Sequence, residues 1–343
     1  MLLREQVPLA PYTTFGIGGA ARWFVEATDE ESLVEAVRFA REQDAPLFVL
    51  GGGSNLLVSD AGYPGLVVRI ALGGIKQEGN FFRAAAGENW DSFVSLAIER
   101  GFGGIECLAG IPGTVGGTPV QNVGAYGQQV SETIVAVRVL DVNHLKFSEL
   151  PTSTCGFEYR RSIFNSIHSD RFIVTRVDYK LRNKAFPFLQ YPDLKRYFQG
   201  RAGTPTLAEA AAAVREIRHE KGMLLVEGEP DCHSAGSFFK NPVVTQARYD
   251  ELAAKSSSPV PCYAASRGLV KIPAAWLVEQ AGFAEGFALG AAGISSRHTL
   301  ALVNRGGATA AEILALHDRV VETVEKKFAI RLEMEPVFLG PGS

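Results

Sequence analysis

The sequence predicts an α+β fold spread over more than one domain, on three observations. The chain has 343 residues, more than one hydrophobic core usually organises. With 46% hydrophobic and 21% charged residues it has ordinary globular composition, which leaves no room for extensive disorder. Segments of helical and of strand periodicity occur in both halves of the chain.

Taken in order, Thr28-x-x-Glu31 is a capping box that predicts a helix with Leu33, Ala36, Val37 and Ala40 on its apolar face. Strands are predicted at Leu47 to Leu50, Leu66 to Ile70 and Phe81 to Ala86, and a helix from Asp91 to Arg100, stopped by Gly101. Residues 101–127 hold nine glycines and two prolines, so no long regular element fits there. The interleaved Ile105, Leu108, Ile111, Val115, Val120 and Val123 favour an ordered loop. Strands return at Ile134 to Leu140 and Phe172 to Leu181, the second with Ile173, Val177, Tyr179 and Leu181 alternating.

The aromatic, proline-bearing stretch from Arg182 to Pro205 is the candidate domain junction. A second capping box, Thr206-x-x-Glu209, opens an alanine-rich helix running to about Lys221, followed by a loop from Gly222 to Gly236. A helix at Ala274 to Ala281, a strand at Thr299 to Val303, a helix announced by Thr309-x-x-Glu312 and a closing strand from Ile330 to Phe338 complete the reading.

A net charge of -3, from 34 basic and 37 acidic residues, is too balanced for a phosphate-backbone binder, so nucleic acid is not an expected partner. No apolar run is long enough for a signal peptide or a bilayer span, which reads as a cytoplasmic protein with no membrane partner. Cys107, Cys155, Cys232 and Cys262 are unpaired in spacing, and the six histidines form no HxxxH or HExxH pattern. Buried reduced thiols and no metal are expected. No pattern predicts an oligomer.

Two glycine loops carry the chemistry. In Gly51-Gly52-Gly53-Ser54-Asn55-Leu56, directly after an apolar strand, main-chain N–H groups can converge on an anion without obstructing Cβ atoms, as in a pyrophosphate cradle. Taken alone it reads equally as a plain strand-to-turn junction. It has neither the Lys-Ser/Thr of a P-loop nor the spacing of a Rossmann fingerprint. The second loop runs from Ile111 to Gly127 and includes Gly113, Gly116, Gly117, Gln121, Asn122, Gly124, Ala125 and Tyr126. Such a chain can lie flat on a large planar ligand; an Ω-loop packed on itself is the weaker alternative, because so many glycines would loosen it.

These residues resemble the UDP-N-acetylenolpyruvoylglucosamine reductase family. The resemblance rests on TFGIGG (14–19), the GGGSN loop, IPGTVGGTPVQNVGAYG, Phe157-x-Tyr159-Arg160-x-Ser162-x-Phe164, AGSFFKNP (235–242) and Leu332-Glu333-x-Glu335, in family order over almost the whole chain. It implies a two-part FAD-binding domain of the vanillyl-alcohol-oxidase type plus a smaller α+β substrate-binding domain. The expected boundaries are 1–75, 76–204 and 205–328, with 329–343 returning toward the flavin. It also implies non-covalent FAD, NADPH as hydride donor, and a nucleotide-sugar substrate in peptidoglycan precursor synthesis.

Residue by residue, the resemblance implies Arg160 and Glu335 as stabilisers of a developing carboxylate charge and Ser237 as the proton donor. Tyr191, Lys221 and Asn241 match diphosphate-binding positions, and His298 lies in a substrate-side motif, though it reads equally as a packed core histidine. Departures are Glu158 in place of glycine, Arg161 in place of aspartate, and a longer connection at 222–233. The competing readings are a different flavoenzyme of the same superfamily and a flavin- or nucleotide-binding regulator without chemistry. GSFFKNP with Tyr191 and Glu335 argues against the first, and Arg160, Ser237 and Glu335 together against the second.

Overall fold

The computed structural model describes residues 1–342 apart from 185, 257, 266 and 267. The chain divides into two compact units. The first comprises Met1–Val7, Ala21–Gly53 and Pro64–Glu220; the second comprises Pro8–Ala20, Ser54–Tyr63 and Lys221–Ser343.

In the first unit, a four-stranded sheet is ordered Leu3–Pro8, Ala20–Ala27, Tyr63–Ile70, Leu47–Leu50, the last two parallel with Leu50 opposite Arg69. Helix α1 (Glu30–Glu42) packs Leu33, Ala36, Val37 and Ala40 into the core. Its cap is one residue later than the sequence pattern predicts: Asp29 accepts from Ser32 N at 2.7 Å, and the Ser32 side chain answers the Asp29 N–H. A carboxylate at the N-cap suits the positive end of the helix, which decides between the overlapping boxes.

A five-stranded antiparallel sheet follows, ordered Lys146–Pro151, Ile134–Asp141, Phe172–Lys180, Phe81–Ala85, Ile75–Glu78. Helix α2 (Trp90–Glu99) ends before Gly101, whose φ of 79° stops it as predicted. Trp90, Phe93, Phe82 and Tyr179 form a buried aromatic nest, with Phe93 and Tyr179 centroids 5.0 Å apart. Helix α3 (Pro192–Phe198) is short, and helix α4 (Leu207–Glu220) opens on the predicted Thr206–Glu209 box. The sequence reading starts its third domain at 205. Helix α4 lies in the first unit instead, because Ala211, Ala213, Val214 and Ile217 join that core.

The second unit builds its core from Phe15, Ile17, Leu57, Phe238, Phe239, Ile272 and the inner faces of three helices. These are α5 (Gln246–Lys255), α6 (Ala274–Gln280) and α7 (Ala310–Phe328). Two small three-stranded antiparallel sheets flank them. The predicted strand at 299–303 is Leu302–Asn304, and the closing strand contracts to Val337–Leu339, parallel to Leu56–Val58. Residues 330–336 are extended but join through single contacts such as the Phe239–Met334 bridge, not a ladder.

Helix α7 has two caps. Thr309 and Glu312 form the predicted box, and the Asp60 carboxylate accepts from both Ala310 N (2.8 Å) and Ala311 N (3.0 Å). Asp60→Ala is therefore expected to cost about 1–2 kcal/mol, read as a lower denaturant midpoint at unchanged m-value. Of the cysteines, Cys107 and Cys155 are buried as expected; Cys232 is half-buried, and Cys262 is exposed beside the short strand Tyr263–Ala264, contrary to the expectation. No described helix is long and apolar enough to cross a membrane.

Candidate active site

In the first unit the second glycine loop is fastened by its main chain. Val115 N donates to Glu88 O at 2.8 Å, Gly116 N to Ala86 O at 2.9 Å, and Trp90 N to Gly113 O at 3.1 Å. Just ahead of it, Gly110 is held at both polar groups: its N–H by Asp91 Oδ1 at 2.6 Å and its carbonyl by Arg218 Nε at 3.1 Å. The Thr118 hydroxyl meets the buried Tyr179 hydroxyl at 2.8 Å, tying the loop to the five-stranded sheet. Gly116 is required by packing, since a Cβ there would lie 2.6 Å from Ala86 Cβ.

The two loops touch where the sequence reading needs them to. A Cβ on Gly52 would lie 2.6 Å from Gly113 Cα and 3.2 Å from Thr114 N, so only glycine allows this approach. The N–H groups of Gly51, Gly52 and Gly53 donate to no carbonyl among the described residues. Thr114 Oγ1 is buried with no hydrogen-bond partner, 3.0 Å from where a Gly51 Cβ would stand. Buried polar atoms are normally satisfied, and three successive main-chain N–H groups that donate to no carbonyl, next to an orphaned hydroxyl, form a set that suits an anionic dinucleotide. Gly117 has open space beside it.

Not every predicted loop residue faces outward. Asn122 braces the loop from within: Nδ2 donates to Gln129 Oε1 (3.1 Å) and Glu158 O (3.0 Å), while Oδ1 accepts from Ser131 N (3.2 Å). Gly124–Ala125 pairs with Gln128–Gln129 through a hairpin whose corner residues, Tyr126 and Gly127, have φ of 49° and 84°. Two successive positive φ values make the type I′ turn that a tight hairpin favours, but a bulky residue at the first is strained. The strain coincides with a network. Tyr126 stacks edge-on against Tyr191, centroids 5.3 Å apart, and its hydroxyl meets Arg218. Burial pushes the Tyr126 phenol up to about 12, against the pull of the Arg218 charge.

Arg160, also at positive φ (55°), donates from Nη1 to Gly124 O at 2.9 Å, so the proposed catalytic guanidinium is braced on the same loop. Its neighbour Arg161 pairs with Glu158 at 3.8 Å, both side chains exposed. The two departures from the family pattern thus offset each other, at a surface contact worth little to stability.

In the second unit the main chain pairs the segment that follows Ser237 with the one that ends at Glu335. Glu335 N donates to Phe238 O at 2.9 Å and Lys240 N to Glu333 O at 2.9 Å, so the 237–240 segment runs against 333–335. Asn55 joins them: its Nδ2 donates to Glu335 O at 3.3 Å, and its carbonyl accepts from Val337 N at 2.9 Å. Asn241 spends its Oδ1 on Ala274 N at 2.8 Å, at the start of α6, which leaves its amino group as the donor it can offer a ligand.

Lys221 and His298 are electrostatic neighbours. Burial, with the Lys221 charge second, holds His298 down to about 4 from an ordinary value of 6.5. It is neutral in the fold at neutral pH. Below pH 6.5 the unfolded chain binds the proton that the folded imidazole refuses, so stability falls as pH drops from about 6.5 toward 4. Between pH 7.5 and 5, wild type is expected to lose about 2 kcal/mol more than His298→Gln, measured by urea unfolding at each pH.

Four buried charges among the described residues stand outside the sequence-predicted site: Arg218, Glu106, Asp141 and Asp231. Glu106 accepts from Gly104 N (2.6 Å), Gln128 Nε2 (2.8 Å) and Phe188 N (2.9 Å), which anchors the chain three residues before Tyr191. Nothing in spacing marks them; a charge on an amphipathic helix or in a loop reads as solvated until the packing is known.

Residues 21–143 match the family described as FAD binding domain, and residues 229–339 match UDP-N-acetylenolpyruvoylglucosamine reductase, C-terminal domain. A UDP-N-acetylenolpyruvoylglucosamine reductase of Thermobifida fusca is 43% identical over 98% of each chain. One from Streptomyces coelicolor is 42% identical over 98% of this chain and 90% of its own. Among solved structures, UDP-N-acetylenolpyruvylglucosamine reductase from Thermus caldophilus aligns with a TM-score of 0.68 at 29% identity, covering 99% of this chain and all of that one.

Proposed function

We infer the reaction from membership: the chain belongs to the UDP-N-acetylenolpyruvoylglucosamine reductase family and is an FAD-dependent oxidoreductase. The reaction we propose is the NADPH-dependent reduction of UDP-N-acetylglucosamine-enolpyruvate to UDP-N-acetylmuramate, a cytoplasmic step of peptidoglycan precursor synthesis. The observation that supports it is the pairing of the 237–240 segment with 333–335, which lays the main chain of two of the family's motifs side by side.

Non-covalent FAD would be held by the N–H groups of Gly51, Gly52 and Gly53, by the Thr114 hydroxyl, and by the main chain of the 111–127 loop. When bound, it would supply the two-electron hydride chemistry that links NADPH to C3 of the enolpyruvyl group. The protein's own part is to manage charge and a proton. Arg160, permanently cationic, forks onto the substrate carboxylate and binds it more strongly as charge develops there. Glu335 polarises the same carboxylate by hydrogen bonding. Ser237 delivers the proton to C2; a hydroxyl is a weak acid, but a strongly basic acceptor and fixed geometry compensate. Tyr191, Lys221 and Asn241 are assigned to the nucleotide diphosphate, and His298 to the substrate side.

The purified protein's absorption spectrum tests this directly. Flavin bands that bleach with NADPH and return, under anaerobic conditions, on adding the enolpyruvyl nucleotide support cofactor and substrate together. Bands that stay bleached with that nucleotide rule out the substrate.

A further inference from the structure

Asp231 lies in the long 222–233 connection and is almost fully buried. A carboxylate there needs compensation. Its Oδ2 accepts from Ser295 Oγ (3.0 Å), Ser296 N (3.1 Å) and Ser296 Oγ (2.8 Å), and lies 3.5 Å from Arg297 Nε. Glu229, two residues earlier, takes Arg297 Nη2 at 2.5 Å. Ser295 Oγ also accepts from Arg297 N at 3.1 Å, so this turn is closed on itself around the Asp231 carboxylate.

The lysine end of the connection rests on the same group. Gly222 has φ of 61°, and a Cβ there would lie 3.1 Å from Ser295 Oγ and 3.2 Å from Arg297 Nε. The corner carrying Lys221 therefore lies so close to the pair that Asp231 organises that a side chain at 222 would crowd it, and the same turn continues into His298, which senses the Lys221 charge.

We propose that Asp231 is a positioning residue for diphosphate binding: by locking Ser295 and Arg297 beneath Gly222, it fixes where Lys221 presents its ammonium group. This rests on the reading of Lys221 as a diphosphate ligand. Preorganising the lysine removes an ordering cost from the binding step, so the benefit falls on affinity and not on turnover. A residue that only stabilised the fold would lower the yield of active enzyme without selecting the diphosphate.

Uridine diphosphate, used as a competitive inhibitor of the FAD-loaded full-length enzyme, is the probe. Asp231→Asn is expected to raise its inhibition constant and the KM for the enolpyruvyl nucleotide about tenfold, with kcat at saturation within about twofold. In a Lys221→Met background the same change should add less than about twofold, because it acts through the lysine. Ser295→Ala, which deletes one hydrogen bond, should move both constants in the same direction by about threefold and keeps the test open if Asp231→Asn fails to fold. Equal losses in the two backgrounds, or no change in inhibition while Lys221→Met weakens it, would overturn the proposal and leave the lysine assignment standing. If Lys221→Met itself leaves inhibition unchanged, the diphosphate reading of that lysine falls and this proposal with it.

Discussion

Ser237→Ala is expected to slow reoxidation of the reduced flavin by the enolpyruvyl nucleotide by about 10³-fold or more, while bleaching by NADPH proceeds almost as in wild type. The asymmetry follows from where the side chain acts. Protonation at C2 belongs only to the second half-reaction, and hydride transfer from NADPH needs no acid from this segment. The mutation removes one oxygen from a stretch whose position is set by main-chain bonds, Glu335 N to Phe238 O and Lys240 N to Glu333 O, so the scaffold survives it. Phe238 and Phe239, both buried, hold the segment from behind. Stopped-flow absorbance resolves the two half-reactions, and equal slowing of both would contradict the assignment.

Gly52→Ala is expected to strip the protein of flavin, with less than about one tenth of the wild-type content surviving desalting. The added methyl would stand 2.6 Å from Gly113 Cα and 3.0 Å from its carbonyl carbon, and backbone cannot swing aside as a long side chain can. One loop must retreat, which costs about 1–3 kcal/mol by overpacking and disturbs that set of N–H groups. Loss of a tightly bound cofactor then removes its own mass-action stabilisation, so the melting temperature falls further than overpacking alone predicts. Gly73→Ala, outside both loops, is the control, since a methyl there meets only Glu88 Oε1, at 3.6 Å. Full flavin content in Gly52→Ala would refute the role given to this contact.

The parts of the fold that could be read in advance are those written locally. The Thr206–Glu209 and Thr309–Glu312 boxes each commit a helix start within four residues, and both stand where the pattern puts them. Asp29 displaced Thr28 because two caps overlapped and only the geometry could choose. The closing strand was overdrawn, since an extended run is recognised by sequence but its ladder depends on a partner from elsewhere, here Leu56–Val58. Sites divide in the same way. Gly52, Gly113 and Gly116 advertise close backbone approach, whereas Asn122, read in sequence as a ligand contact, braces the loop from within. Arg218 sat in an alanine-rich helix that gave no hint of which face would be buried.

The parallel pairing of Val337–Leu339 with Leu56–Val58 has a temporal consequence. During synthesis the hydroxyl at 237 is made long before the carboxyl group at 335, and the strand that docks the 335 segment beside residue 55 emerges later still. A nascent chain on the ribosome can assemble the first aromatic nest around Trp90 early, yet the pairing of Val337–Leu339 with Leu56–Val58 waits for translation to pass residue 339. The pairing is thereby a late event in synthesis, reached only when two distant stretches of message have both been read.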